Sequence, residues 1–209
     1  MASRCLRQPA LAIKAGGAMN SRLLPLLLCL AGCRQQPATP PPLAGARIGG
    51  PLALIDGDGR PFTQGKLMGR YAIVYFGYTF CPDVCPIDMA AIGAGLKQVE
   101  RTDPEIAAKV QPIFISVDPE RDTPAVVKRF AATFHPRAIG LTGSPAAIKQ
   151  AAQEYGVFYG RGETSPGGGY MVNHSRAAYL MGPDNKPIAL VGQDGGPDAV
   201  AATIRQWVK

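Results

Sequence analysis

Cys81-Pro82-Asp83-Val84-Cys85-Pro86 is the stretch from which the fold of this chain is read. It is preceded by Tyr71-Ala72-Ile73-Val74-Tyr75-Phe76, a continuous apolar run with the length and residue types of a buried strand. Beyond it, Met89, Ile92, Leu96 and Val99 recur at helical spacing, so a helix starts near Pro86. A proline is tolerated in the first helical turn, where a missing N–H breaks no bond. Two thiols therefore sit in a strand-to-helix turn. Unpaired N–H groups and the helix dipole there favour thiolate over thiol. Three residues separate the cysteines, one more than in the two-residue redox motif. That slack lets the sulfurs close a disulfide or face one metal ion together.

The chain has 209 residues, enough for one domain with a full core, and a net charge of +7. The charge is unevenly spread. Residues 1–32 contain Arg4, Arg7, Lys14 and Arg22 and no acidic residue; the remainder holds 18 basic and 15 acidic residues, a net of +3. A nucleic-acid reader keeps its basic face in the folded domain, so nucleic acid is not an expected partner. Of the five cysteines, Cys5 and Cys29 fall in the leader, and Cys81 and Cys85 form a lone pair in the domain. Their short spacing at a helix start argues against inert core filler.

Arg22 is followed by Leu23-Leu24-Pro25-Leu26-Leu27-Leu28-Cys29-Leu30, too short to span a bilayer but suited to a secretory signal. Leu30-Ala31-Gly32-Cys33 resembles the bacterial lipobox at all four positions. Residues 1–32 are accordingly expected to be a lipoprotein signal peptide and Cys33 the lipidated first residue of the mature chain. Met19 alone would open a compact signal, which makes it a candidate start. Residues 33–47 read as a Pro-rich tether. Thirteen residues of it, 34–46, would reach roughly 40 Å in polyproline geometry. The domain, 48–209, is expected outside the cytoplasm, where a disulfide persists.

Asp56-Gly57-Asp58-Gly59 reads as a hairpin turn; the later ligand positions of a calcium loop do not follow it. Ile113-Phe114-Ile115-Ser116-Val117 is a second buried strand after Pro112. Asp118, Glu120 and Asp122 follow, as caps and surface charge or, in a sharper reading, as a docking or metal-tuning cluster. Thr123-Pro124 and Ser144-Pro145 open helices. His135 ends the first of these, next to its last carbonyls. Residues 139–142 read as a strand and 156–159 as a short one. Residues 160–170, with five glycines, read as a mobile surface loop without a phosphate-binding pattern. His174 follows, then two strands around Gly182-Pro183-Asp184-Asn185 and a last helix from Pro197. A βαβ unit followed by ββα is the thioredoxin-like plan: an α/β fold here with an N-terminal β-hairpin and insertions. In that plan the start of the terminal hairpin faces the cysteine turn, so Cys81, Cys85 and His174 can converge. Two thiolates and an imidazole suit Cu(I), or Cu(II) in a trigonal field, better than zinc, which asks for a fourth protein ligand. Met89 as a ligand is the lesser reading beside its place in the core.

Phe80 through Pro86, Val117-Asp118-Pro119-Glu120-Arg121-Asp122-Thr123-Pro124, and His174-Ser175 ahead of Tyr179-Leu180-Met181-Gly182-Pro183-Asp184 together resemble the Sco/SenC family, from about Ile48 to the end. The resemblance implies a membrane-anchored copper protein. Its expected role is to deliver copper to, or keep reduced the cysteines of, the dinuclear copper site of cytochrome c oxidase subunit II, or to serve another periplasmic copper protein. It implies Cys81, Cys85 and His174 as copper ligands and a reversible Cys81–Cys85 disulfide. Asn173 stands where the family often has Asp. Lipid attachment at Cys33 would place the domain on the periplasmic side of a bacterial membrane. Such a chain is a metallochaperone before it is an enzyme. The alternative is a periplasmic thiol–disulfide oxidoreductase without copper delivery. A peroxide-reducing site is disfavoured by the absence of a local arginine.

Overall fold

A computed structural model of the chain describes residues 39–164, 167 and 169–209. The expected signal peptide, Met19 and Cys33 lie outside the described residues. The order of elements is β1 (Ala53–Asp56), β2 (Pro61–Thr63), β3 (Tyr71–Gly77), α1 (Val84–Thr102), α2 (Pro104–Ala108), β4 (Val110–Ser116), α3 (Pro124–Phe134), β5 (Ile139–Thr142), α4 (Pro145–Glu154), β6 (Tyr159–Thr164), β7 (Tyr170–His174), β8 (Ala178–Met181), β9 (Pro187–Leu190) and α5 (Pro197–Trp207). Seven strands form one sheet in the order β2-β1-β5-β4-β3-β8-β9; β6 and β7 pair separately. β3, β4 and β5 run parallel, and β8 returns antiparallel to β3. The stretch β5-β4-β3-β8-β9 is the expected thioredoxin-like plan, with the β1–β2 hairpin added at the β5 edge.

β3 is central and covered on both faces, which is why its sequence is apolar without alternation. The Tyr75 hydroxyl reaches Asp88 on α1, while the Phe76 ring packs on Tyr155 at the end of α4, centroids 5.4 Å apart. Met89, Ile92, Leu96 and Val99 are buried as expected, each such side chain contributing about 1.5–3 kcal/mol. α1 lies tightly on α5. A β-carbon at Gly95 would stand 2.6 Å from Val200 Cβ and 2.7 Å from the Pro197 carbonyl oxygen, so glycine is what permits this approach. The outer strands of the sheet, β2 and β9, each open on a proline, Pro61 and Pro187.

The β1–β2 turn is the hairpin expected. Asp56 Oδ1 accepts the N–H groups of Asp58 and Arg60, each at 3.0 Å, and Asp58 pairs with Arg60 and Lys128, so the carboxylates are spoken for. β4 starts earlier than the apolar run suggests and includes Pro112. β5 pairs with β4 only from Ile113, so no strand on that side needs a donor from the proline. In the expected tether, Leu43 donates its N–H to Ile188 of β9 at 3.0 Å and packs against the core, so this part lies on the domain.

Three expectations need correction. The stretch 160–170, read as a loop, contributes residues 160–164 and 170 to strands. Residues 159–164 and 170–174 form an antiparallel hairpin, Arg161 opposite Val172 and Tyr159 opposite His174. Val157 and Phe158, read as strand, precede it in irregular chain. His135 is buried and turned from the helix carbonyls: its Nε2 lies 3.3 Å from Glu100 and its Nδ1 accepts the Arg137 N–H at 3.2 Å.

Candidate metal centre

β3 ends at Gly77, and the chain crosses the end of the sheet through Tyr78, Thr79 and Phe80 into the cysteines. Cys81 precedes α1 and Cys85 is the second residue of it. A β-carbon at Gly77 would lie 3.0 Å from Cys85 Sγ and 3.1 Å from the Phe114 and Tyr75 rings, so the strand end leaves the sulfur just enough room. His174, the last residue of β7, arrives from across the fold. Its Nε2 is 3.2 Å from Cys85 Sγ, and one donor atom from each of Cys81, Cys85 and His174 lies within 4.8 Å of the others. Both cysteines are free thiols and buried. The structure thus brings together the three residues singled out in the sequence.

The imidazole is oriented for coordination. Its Nδ1 lies 2.9 Å from the Ser175 carbonyl oxygen, which can only accept, so Nδ1 carries the proton and Nε2 presents its lone pair to the thiols. Tyr75 and Tyr78 meet the ring edge-on, with centroids 6.3 and 5.9 Å away. Burial holds the imidazole below its ordinary value, keeping it neutral. The thiols differ. Burial opposes ionisation of Cys81, yet backbone N–H groups of Cys85 and Asp83, with the Tyr78 hydroxyl, bring it below the ordinary range. Burial pushes Cys85 well up. The helix start therefore activates one thiol of the two, because only Cys81 Sγ receives its N–H groups; that of Cys85 donates to it at 3.5 Å.

Several supporting residues were not anticipated. Asp88, fully buried one turn after Cys85, accepts from Tyr75 Oη at 2.9 Å and from Arg176 at 2.6 and 3.0 Å. An acid inside the apolar stripe of α1 was the available signal. Asp122 is neither a helix cap nor a surface charge. Buried, it accepts from the Thr79 N–H at 2.9 Å and from the hydroxyls of Thr79 and Ser116 at 2.6 Å each, and so fixes the segment entering the cysteines. Arg121 is held by Asp118, donates to the Tyr170 carbonyl at 3.0 Å, and lies over the Tyr170 ring at 3.6 Å and the Phe80 ring at 4.8 Å. Arginines do reach the site, from distant parts of the chain, but Arg121 and Arg176 are each engaged by a carboxylate. Asn173 is exposed and, by strand alternation, points to the opposite side from His174. Met89 is buried in the core, as expected of its place in the α1 stripe.

Residues 41–209 match the family model SCO1/SenC. The chain belongs to the SCO1/SenC family. It is 42% identical over 173 residues to SCO1 homolog 1, a mitochondrial protein of Arabidopsis thaliana, covering 80% of this chain and 51% of the relative. To mitochondrial SCO2 of Saccharomyces cerevisiae it is 36% identical, covering 78% and 53%. This Sco chain thus spans about half the length of those curated relatives. Among solved structures, Arabidopsis thaliana ScoI with copper bound superposes with a TM-score of 0.69 at 39% identity, over 76% of this chain and 97% of that one. Bradyrhizobium japonicum ScoI with copper bound gives 0.69 at 37%, over 77% and 99%. Among the described residues of this Sco chain no helix is long and apolar enough to cross a membrane.

Proposed function

We propose that this chain is a copper-carrying protein that holds the ion on Cys81, Cys85 and His174 and passes it to another copper protein. The observation that carries this reading is the donor set: two sulfurs and an imidazole nitrogen with its lone pair turned inward, all within 4.8 Å. The described residues add no fourth His, Cys, Asp or Glu donor, which favours copper over structural zinc and leaves a side of the ion open to an incoming ligand. Copper is the cargo. A target thiolate enters at the open side, His174 is the neutral and most readily displaced donor, and the two thiolates follow. Oxidation of Cys81 and Cys85 to a disulfide gives up two electrons and two protons to an oxidised acceptor and removes both thiolates, so only the reduced carrier loads.

The target we favour is the dinuclear copper site of cytochrome c oxidase subunit II. The sequence supports an export signal over residues 1–32, lipidation at Cys33 and a tether to residue 47. On this reading the domain, residues 48–209, works on the periplasmic side of a bacterial membrane. A second reading, thiol–disulfide exchange on periplasmic proteins, is favoured by the unequal thiols: Cys81 is suited to attack, and Cys85 to resolve the mixed disulfide.

The test is an anaerobic titration of Cu(I) against a competing chelator, with the full chain reduced and metal-free. One copper bound tightly, and much more weakly in His174→Ala, supports the carrier. Weak binding, or binding indifferent to His174, overturns the three-ligand site and leaves the thiol reductase, whose disulfide-reducing activity would survive the substitution.

A further inference from the structure

The hairpin that ends in His174 is not part of the main sheet. Among the described residues β6 and β7 pair only with each other, so no ladder bond to the main sheet fixes the position of the imidazole over the thiols. Side chains must do so. Upstream, Tyr170 is gripped by Asp118 and Arg121, four residues from His174. Downstream, the hold is closer and deeper. Arg176, two residues after His174, forks onto Asp88, three residues after Cys85 on α1.

The spacing matters. Residues three apart on a helix share a face, and residues two apart in an extended segment share a side. Cys85 and Asp88 therefore look the same way from α1, and His174 and Arg176 look back at them. The contacts form two adjacent rungs between the same two segments. One is Cys85 to His174 at 3.2 Å; the other is Asp88 to Arg176 at 2.6 and 3.0 Å. The second rung is anchored on both sides. Asp88 is fully buried and also accepts from Tyr75, whose ring meets His174 edge-on. The Arg176 carbonyl accepts from Gln193 at 2.5 Å. A bidentate arginine–carboxylate pair fixes direction as well as distance, which a single point charge does not.

We propose that the Asp88–Arg176 pair is the positioning element that sets His174 on the two thiols, and so decides whether copper is held by three ligands or by two sulfurs alone. This rests on the copper-carrier reading. Neither residue touches the ion. They act through the register of the segment that carries the imidazole, as hydrogen-bonding partners around metal ligands commonly do, with losses of about 10- to 100-fold in affinity when removed.

The experiment combines Arg176→Met, Arg176→Lys and His174→Ala in the full chain. Arg176→Met leaves a buried carboxylate without its cation and can cost folding. The paired variant Asp88→Met/Arg176→Met removes both charges together and stands in for it. In reduced, metal-free protein, ring nitrogen NMR of His174 is expected to show the Nδ1-protonated tautomer, and to lose that fixed state in the methionine variants. With copper, those variants are expected to bind about 10- to 100-fold more weakly and to lose the imidazole nitrogen coupling in the Cu(II) spectrum. They should cause no further loss in the His174→Ala background, because their effect runs through that residue. Arg176→Lys should recover part of the affinity. A folded methionine variant with unchanged tautomer and nitrogen coupling would sink the proposal. So would an equal loss of affinity with and without His174. If wild type binds no copper, the carrier reading fails while the tautomer still decides the positioning claim.

Discussion

Asp122 takes hold of Thr79 twice, through its backbone N–H at 2.9 Å and its hydroxyl at 2.6 Å, two residues before Cys81. The same carboxylate accepts the Ser116 hydroxyl at the end of β4, so the cysteine segment is tied to the next strand of the sheet. Asp122→Ala leaves three donors without their acceptor and is expected to destabilise the domain by roughly 2–4 kcal/mol. Asp122→Asn, which keeps one acceptor oxygen, should cost less. Denaturant midpoints at unchanged slope would measure both.

The two thiols should react at different rates. With Cys85→Ser and Cys81→Ser single variants, metal-free and reduced, alkylation across a pH series is expected to modify the chain that retains Cys81 faster and from lower pH. Backbone donors stabilise its thiolate, while burial keeps Cys85 protonated. Equal rates, or the reverse order, would contradict the asymmetry.

Gly77→Ala places a methyl 3.0 Å from Cys85 Sγ. The crowding should cost about 1–3 kcal/mol in stability. It should also displace one donor of the three and weaken copper binding in chelator competition. An unchanged affinity would show that the strand end can yield without moving the sulfur.

Burial holds His135 below the ordinary imidazole value of 6.5, with Glu100 attracting the proton and Arg137 and Lys97 repelling it. A folded value below the unfolded one means that the folded state resists protonation. The stability from this group is therefore complete above the ordinary value and is lost as pH falls through the lowered one. His174 has the same sign. Thermal melting of metal-free protein at about pH 7.5 and about pH 5 should show a drop at the acid side, smaller in His135→Gln than in wild type.

The parts of the fold that were legible in the sequence are those written locally. The β3 run, the cysteine turn and the stripe Met89, Ile92, Leu96, Val99 each declare themselves within one element. So do the Asp56–Gly59 turn and the Ser144 cap, whose side chain accepts the Ala147 N–H at 3.2 Å. The β6–β7 hairpin did not, because its glycines look like loop and what steadies it, Tyr170 against Asp118 and Arg121, joins residues about fifty positions apart. The candidate donors were found by residue type and spacing. Their supports were not, since Asp88 and Arg176 are 88 positions apart, and an acid in the apolar stripe of α1 does not by itself name its partner.

β2 and β9 bound the sheet, and both begin with a residue that has no N–H to offer. A neighbouring molecule seeking to extend the sheet meets an interrupted row of donors on either flank. That is a safeguard against edge-to-edge association. Encounters between molecules are steered away from backbone pairing, the route to aggregates, and left to side chains such as the exposed Phe80 and Met171 near the thiols.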